Sequence, residues 1–74
     1  MDNRLRYQFG KKIRLERNRR NLTQSALAEK ADIGEKVVGE IERFEVSTTI
    51  DTIEKLAKAF NLQPKDLFDF SDIL

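Results

Sequence analysis

The chain has 74 residues, which is enough for one small domain and leaves no room for a second hydrophobic core. It contains no cysteine and no histidine, which excludes disulfides and thiolate metal sites and removes the commonest metal ligand and general base, so we expect no enzymatic activity, no metal and no cofactor. The net charge is only +1, yet residues 1–20 hold eight Lys and Arg against two acidic residues, which predicts either a positive N-terminal surface or a solvated first helix.

The first three predicted elements are helices. The first covers about residues 3–20 and has one apolar stripe. That stripe consists of Leu5, Phe9 and Ile13. The second helix runs over about 24–31 behind Thr23, whose hydroxyl can accept a backbone N–H of the first turn as an N-cap. The third covers about 35–43.

The clearest apolar stripe lies in a fourth predicted helix over about 50–60, which Thr49 can cap. The inward side chains of this helix are Ile50, Ile53, Leu56, Ala57 and Phe60. Asn61 tolerates left-handed backbone and is expected to end the helix, and Pro64 fits the first position of a fifth. The expected buried pair of the fifth helix consists of Leu67 and Phe68. The predicted fold is therefore all-α, a compact five-helix bundle.

The stretch 24–43 fits two helices that cross steeply across a short turn. Such a crossing needs a small residue where the helices touch, a turn residue that tolerates strained backbone, and apolar anchors under the second helix. Ala28 supplies the small residue and Asp32 the turn. The anchors are Ile33, Val38 and Ile41. A helix held outward in this way fits the major groove of DNA, which is about 12 Å wide.

The motifs of the chain resemble the Xre family, the helix-turn-helix domain of the phage repressor and Cro type. The similarity covers about residues 9–68 and rests on FGKKIR, NLTQSALAEKADI, IER and TIDTIEKLAKAFNL followed by DLF. It implies a lambda-repressor-like fold with the helix-turn-helix in helices 2 and 3, within a single domain over 1–74. It also implies a bacterial or phage transcriptional regulator that binds double-stranded DNA sequence-specifically, with the recognition helix in the major groove.

The resemblance also implies which residues contact DNA. The candidates for reading bases are Gly34, Glu35, Lys36, Gly39 and Glu40. The candidates for binding phosphate beside the recognition helix are Thr23, Gln24, Ser25 and Arg43. The basic N-terminal segment adds Arg14, Arg19 and Arg20, with Lys11 and Lys12 as further candidates. Glu42 matches a glutamate that pairs with an arginine of the first helix, here Arg17, in a structural role.

The chain departs from the family pattern at several of these positions. Glu35 and Glu40 stand where basic or amide side chains are common. A carboxylate repels phosphate and accepts mainly from cytosine N4 among base edges, so the pair either reads cytosine or abolishes groove binding. Asp32 and Phe44 each replace a common glycine, and we expect Phe44 to pack on the core or on a partner.

A unit of this size reads few base pairs, so we expect a homodimer on a pseudo-palindromic site. The tail 69–74 carries apolar residues beyond those that the core needs. The expected interface, formed by the fifth helix and the tail, consists of Leu67, Phe68, Phe70, Ile73 and Leu74. The alternative is a tail that folds back on its own core.

Two functions remain open at this point. One is transcriptional regulation, either as a stand-alone repressor or as a restriction-modification controller. The other is a protein-interaction module on the same scaffold, an antitoxin or adaptor, in which Glu35, Glu40 and Glu45 contact a basic partner. No apolar run is long enough for a membrane span, and the expected location is the cytoplasm, in association with the nucleoid.

Overall fold

The computed structural model describes residues 4–73. Four α-helices follow one another in this range: α1 (Arg4–Arg19), α2 (Gln24–Ala31), α3 (Glu35–Glu42) and α4 (Ile50–Phe60). No β-strand occurs within residues 4–73, so the all-α class is confirmed. The expected fifth helix is instead a 3₁₀ helix, Pro64–Phe68, and the predicted count of five α-helices is wrong.

Local features fix both ends of this last element. The side chains of Gln63 and Asp66 form a capping box, in which the Asp66 carboxylate accepts from the Gln63 N–H at 2.9 Å. Pro64 supplies a preset φ at the start. The chain leaves the turn at Asp69 in an extended conformation, so no further helical turn is added.

All five elements contribute to one hydrophobic core. The fully buried side chains of greatest volume are Phe60, Ile13, Leu27, Ile41, Leu56, Leu67 and Val38. Three residues that were expected to be buried are not: Leu5 is 58% exposed, Ile50 82% and Phe68 40%. Leu5 and Ile50 lie in the first turn of their helices, where side chains point back past the end of the core. Phe68 stacks on the ring of Phe9 with centroids 5.3 Å apart, but this contact does not cover it fully.

The helix ends form as their sequences predict. The hydroxyl of Thr23 accepts from the Ala26 N–H at 3.0 Å, and that of Thr49 accepts from Thr52 at 3.1 Å. Asp32 adopts left-handed backbone with φ 57°, and Asn61 does so with φ 59°. Because the reversal at Asp32 follows α2 at once, α3 starts within three residues and crosses α2 as a helix-turn-helix requires.

The closest approach of α1 and α3 occurs at Gly10. A Cβ atom there would overlap the carbonyl oxygen of Ile41 and lie 2.7 Å from the ring of Phe44. Phe44 has φ 64°, a strained conformation for an aromatic residue, and its ring packs on Tyr7 with centroids 4.7 Å apart. Phe44 therefore packs on the first helix of its own chain.

The tail also folds back on its own chain. Asp72 accepts hydrogen bonds from Lys12 at 2.9 Å and 3.2 Å and pairs with Arg19 at 2.9 Å. Leu67, one of the expected interface residues, is fully buried in the core and cannot contact a partner. Leu74 lies outside the described residues. Among residues 4–73, no helix is both long and apolar enough to cross a bilayer.

Candidate nucleic-acid interface

The N-terminus of α2 lies beside the recognition helix α3. Thr23 caps the terminus, and Thr23 and Ser25 are exposed to solvent while Gln24 is half-buried. Backbone N–H groups at a helix start lack intrahelical acceptors and, together with the helix dipole, favour an anion. Thr23 is thus a helix cap, as predicted, and its position remains compatible with a phosphate contact.

A buried ion pair joins the three helices behind this surface. Arg17 Nε and Nη2 donate to the two carboxylate oxygens of Glu42 at 2.7 Å and 2.9 Å, which confirms the predicted pair. Arg17 Nη1 donates to the Leu22 carbonyl at 2.8 Å, and Gln24 Nε2 donates to Glu42 at 3.2 Å. The Glu42 side chain is 1% exposed. Hydrogen bonding to Glu42 holds the pKa of the Arg17 guanidinium above its ordinary value.

The exposed face of α3 carries most of the predicted base-reading residues. Gly34, Glu35 and Lys36 are exposed, and Glu40 is half-buried one turn further along. Gly39 is buried, so it offers no surface of its own to a base edge. The prediction that Gly39 contacts a base has no support in this burial, which needs another explanation.

Two arginines lie on the same side of the molecule as α3. The Arg43 side chain, which is mostly exposed, extends back along α3 and places Nε 3.2 Å from a Glu45 carboxylate oxygen. Arg14 is 62% exposed, and its Nε lies 3.7 Å from the buried Glu42. Both guanidinium groups can reach solvent beside the recognition helix.

Arg19, the last residue of α1, and Arg20, which follows it, bind partners other than Glu42. Arg20 donates to the Glu16 carboxylate and to the carbonyl of Phe60, both at 2.8 Å, and its guanidinium lies over the Phe60 ring. Arg19 pairs with Glu16 at 3.0 Å and with Asp72 at 2.9 Å. Residues 17 and 19 differ by about 200° around a helix, so Arg19 points away from the side that carries Glu42. These contacts place both arginines in internal ion pairs.

Lys12 belongs to the same internal cluster, and its interpretation as a phosphate ligand is wrong. Its ammonium is buried between Glu16 at 2.8 Å and Asp72 at 2.9 Å. Burial alone would lower the pKa of Lys12, but the hydrogen bonds and charges of these two carboxylates outweigh it and raise the pKa. Burial would likewise raise the pKa of Glu16, whereas hydrogen bonds from Lys12 and Arg20 hold it below its ordinary value.

Sequence reasoning missed two features of this region. The cluster around Glu16 had a visible signal, since Lys12, Glu16 and Arg20 follow one another at i, i+4 spacing, which pairs opposite charges on a helix. The hydrogen bond from Gln24 to Glu42 had no comparable signal, because it joins two helices whose crossing must first be known.

Comparison with known proteins agrees with this architecture. A family model described as helix-turn-helix matches residues 13–67. The control protein C.BamHI of Bacillus amyloliquefaciens is 40% identical over 74 residues, which span 99% of this chain and 91% of that protein.

Solved structures are similar as well. The restriction-modification controller protein C.AhdI from Aeromonas hydrophila superimposes with a TM-score of 0.81 at 31% identity, covering 84% of this chain and 94% of that one. An HTH_3 family transcriptional regulator from Vibrio cholerae gives a TM-score of 0.88 at 27% identity, covering 96% of this chain but only 40% of that one. The chain belongs to the HTH_3 helix-turn-helix family, as its resemblance to repressors of the Xre type predicted.

Proposed function

We propose that this chain is a sequence-specific DNA-binding regulator that controls restriction-modification genes, acting as a homodimer in the cytoplasm. The observation that carries the proposal is the outward presentation of α3 against the capped start of α2, held by the buried Arg17–Glu42 pair. Its relatives include proteins named as a control protein and as a restriction-modification controller, and the similarity to each extends over most of both chains.

We propose that α3 enters the major groove with Glu35, Lys36 and Glu40 toward base edges. Gly34 has no side chain and so allows the start of α3 to approach the DNA closely. Phosphate contacts then fall to residues at the rim of this surface. These are Thr23, Gln24, Ser25, Arg43 and Arg14. Arg19 and Arg20 are left out of the set because their guanidinium groups are bound in ion pairs within the chain. The two glutamates favour sites with cytosine opposite them, since cytosine N4 is a donor in the major groove.

We place the dimer interface at an apolar surface concavity of about 360 Å³. Its apolar lining includes Leu5, Phe9, Val46, Ile53 and Phe68. Exposed apolar surface of this kind favours association, and Phe70 extends it, with its ring 6.3 Å from that of Phe68. A monomeric mass in sedimentation experiments at tens of micromolar would contradict the dimer without affecting DNA binding by each subunit.

The function is tested by selecting bound duplexes from a random DNA pool and measuring binding to the enriched sequence. We expect enrichment of a two-fold symmetric site and, in an NMR titration, shifts of the amides of residues 23–25 and 34–43. Lys36→Ala should weaken the enriched site by about 1–3 kcal/mol more than a random duplex. The matched control is Lys58→Ala, an exposed lysine near the end of α4, which should leave the preference unchanged.

The second candidate, binding of a basic protein, is favoured by the exposure of Glu35 and Glu45 beside α3. Replacing Glu35 and Glu40 by arginine distinguishes a DNA-binding regulator from a module that binds a basic protein. Both candidates predict a rise in non-specific DNA affinity, but only a regulator loses preference for its enriched site. If no sequence is enriched and the amides of α3 do not respond to DNA, the proposed function is wrong.

A further inference from the structure

Gly39 lies in the middle of an eight-residue helix, where glycine is among the least favourable residues. The backbone conformation at residue 39 does not require glycine, because no glycine in residues 4–73 has a positive φ. Close packing of the α2 and α3 backbones does not require glycine either, since the nearest atoms that a Cβ at residue 39 would meet belong to side chains. The position therefore needs the absence of a side chain for another reason.

The atoms around Gly39 identify that reason. A Cβ atom would lie 2.9 Å from Arg43 Nη1, tighter than ordinary packing allows, and 3.5 Å from Gln24 Oε1. Residues i and i+4 of a helix share a face, and side chains lean toward the helix N-terminus, so the guanidinium of Arg43 lies over Gly39. Arg43 is thus brought from the end of α3 to its middle, beside Gln24.

Both neighbours are themselves held in place. Gln24 donates to the buried Glu42 at 3.2 Å, which leaves its Oε1 on the side of Gly39. Arg43 Nε lies 3.2 Å from the Glu45 carboxylate, which orients the guanidinium from the other edge. The side chain of Arg43 remains mostly exposed, so its remaining N–H donors are accessible from the solvent.

We infer that Gly39 is a positioning residue for DNA binding, which supplies the bare surface on which Arg43 lies so that its guanidinium meets a backbone phosphate. The inference rests on the proposed function. A guanidinium donates two parallel hydrogen bonds to a phosphate only when its plane is correctly aimed. A methyl group at residue 39 displaces that plane while leaving the charge of Arg43 in place.

The test is a double-mutant cycle of Gly39→Ala and Arg43→Ala on the full chain, with binding to the enriched duplex as the readout. Gly39→Ala should weaken binding by roughly three- to tenfold, the range expected for loss of one charge-assisted contact. Arg43→Ala should weaken it at least as much and lower the dependence of log affinity on log salt by about 0.9. In the Arg43→Ala background, Gly39→Ala should have no further effect on affinity.

Thermal unfolding separates this role from a structural one. Because alanine favours helix over glycine and the methyl displaces only the end of a flexible side chain, Gly39→Ala should unfold at the same or a higher temperature than the wild type. Wild-type affinity in Gly39→Ala, or an equal loss with and without Arg43, would overturn the inference. Failure of the wild-type chain to enrich any duplex would instead overturn the proposed function on which it rests.

Discussion

Two clusters of ion pairs flank α1, and they hold different parts of the molecule. One joins Arg17 to Glu42 and ties α1 to the helix-turn-helix. The other, formed by Lys12, Glu16, Arg19, Arg20 and Asp72, ties α1 to the end of α4 and to the tail. Both use basic residues of the same sixteen-residue helix, and each holds a nearly buried carboxylate at its centre.

The two clusters differ in how their charges are arranged. The first is one bidentate arginine–carboxylate pair, and the third guanidinium nitrogen, Nη1, donates to the Leu22 carbonyl. A bidentate pair forms only in a narrow range of orientations, so it fixes the angle of α3 relative to α1. The second gathers three basic side chains around Glu16 and adds Asp72, whose carboxylate is less buried than Glu16. It acts as a network that attaches a short terminal segment.

The number of basic residues in the N-terminal segment does not indicate how strongly this segment attracts DNA. Four of its cations are bound to carboxylates in these two clusters: Lys12, Arg17, Arg19 and Arg20. A cation that is bound to a carboxylate of its own chain contributes less to the attraction of phosphate. The exposed basic side chains beside α3 are Lys36, Arg43 and Arg14, although Arg43 and Arg14 also lie within ion-pair distance of Glu45 and Glu42.

Removal of Glu42 should produce the largest effect. Glu42→Ala leaves the largely buried Arg17 without its carboxylate and should lower the free energy of unfolding by about 3–5 kcal/mol, most of the stability of a domain this small. Chemical denaturation followed by circular dichroism measures this. The matched control is Glu45→Ala, whose exposed pair with Arg43 should contribute less than about 1 kcal/mol. Equal midpoints for the two variants would show that the first cluster does not hold α3.

The pH dependence of stability should distinguish the second cluster from the first. The pKa values of Glu16 and Asp72 lie below their ordinary values of 4.5 and 3.8, so the unfolded chain binds protons first as the pH falls. Their stabilisation is fully present above the ordinary values and is lost as the pH drops through them toward the lower folded-state values. Unfolding midpoints measured from pH 7 to pH 3 should therefore decline.

Glu16→Gln sharpens that measurement. It should lower stability at pH 7 by about 1–3 kcal/mol, since Lys12 keeps Asp72 as a partner, and it should flatten the decline in acid. Glu29→Gln, at an exposed position of α2, serves as the control and should keep the wild-type slope. If Glu16→Gln and the wild type lose stability in parallel, the acid sensitivity originates elsewhere.

Much of the fold was predictable because its signals are local. Threonine caps, the left-handed Asp32 and Asn61, and the period of the apolar residues each act within a few residues. The period of the apolar residues predicts which face of a helix is buried, but not where along that face the core ends. Ile50 shares the apolar face of α4, so the pattern predicts it to be buried although it is exposed. The fifth helix was predicted from Pro64, whereas its short length depends on the extended backbone of Asp69, which no local pattern in the sequence indicates.

The candidate site was less predictable, because its details depend on which groups meet across the fold. The Arg17–Glu42 pair was accessible through the family resemblance and is confirmed. The second partner of Lys12, Asp72, was not, since it lies 60 residues away in the sequence. The role of Gly39 depends on the conformation of one long side chain, which no spacing rule predicts.

The smallest expected effect concerns the attachment of the tail. Asp72→Asn removes a partly exposed charge that Lys12 and Arg19 share, so it should lower stability by less than about 1 kcal/mol, and by less still in high salt. Hydrogen exchange of the amides in 69–73 is the sensitive measurement, and we expect it to accelerate while that of α3 is unchanged. Asp69→Asn is the control, because the hydrogen bonds that the Asp69 carboxylate accepts within residues 4–73 come from Ser71 of the tail and not from α1. Faster exchange in α3 as well would mean that the two clusters are coupled through α1, and the distinction between them would fail.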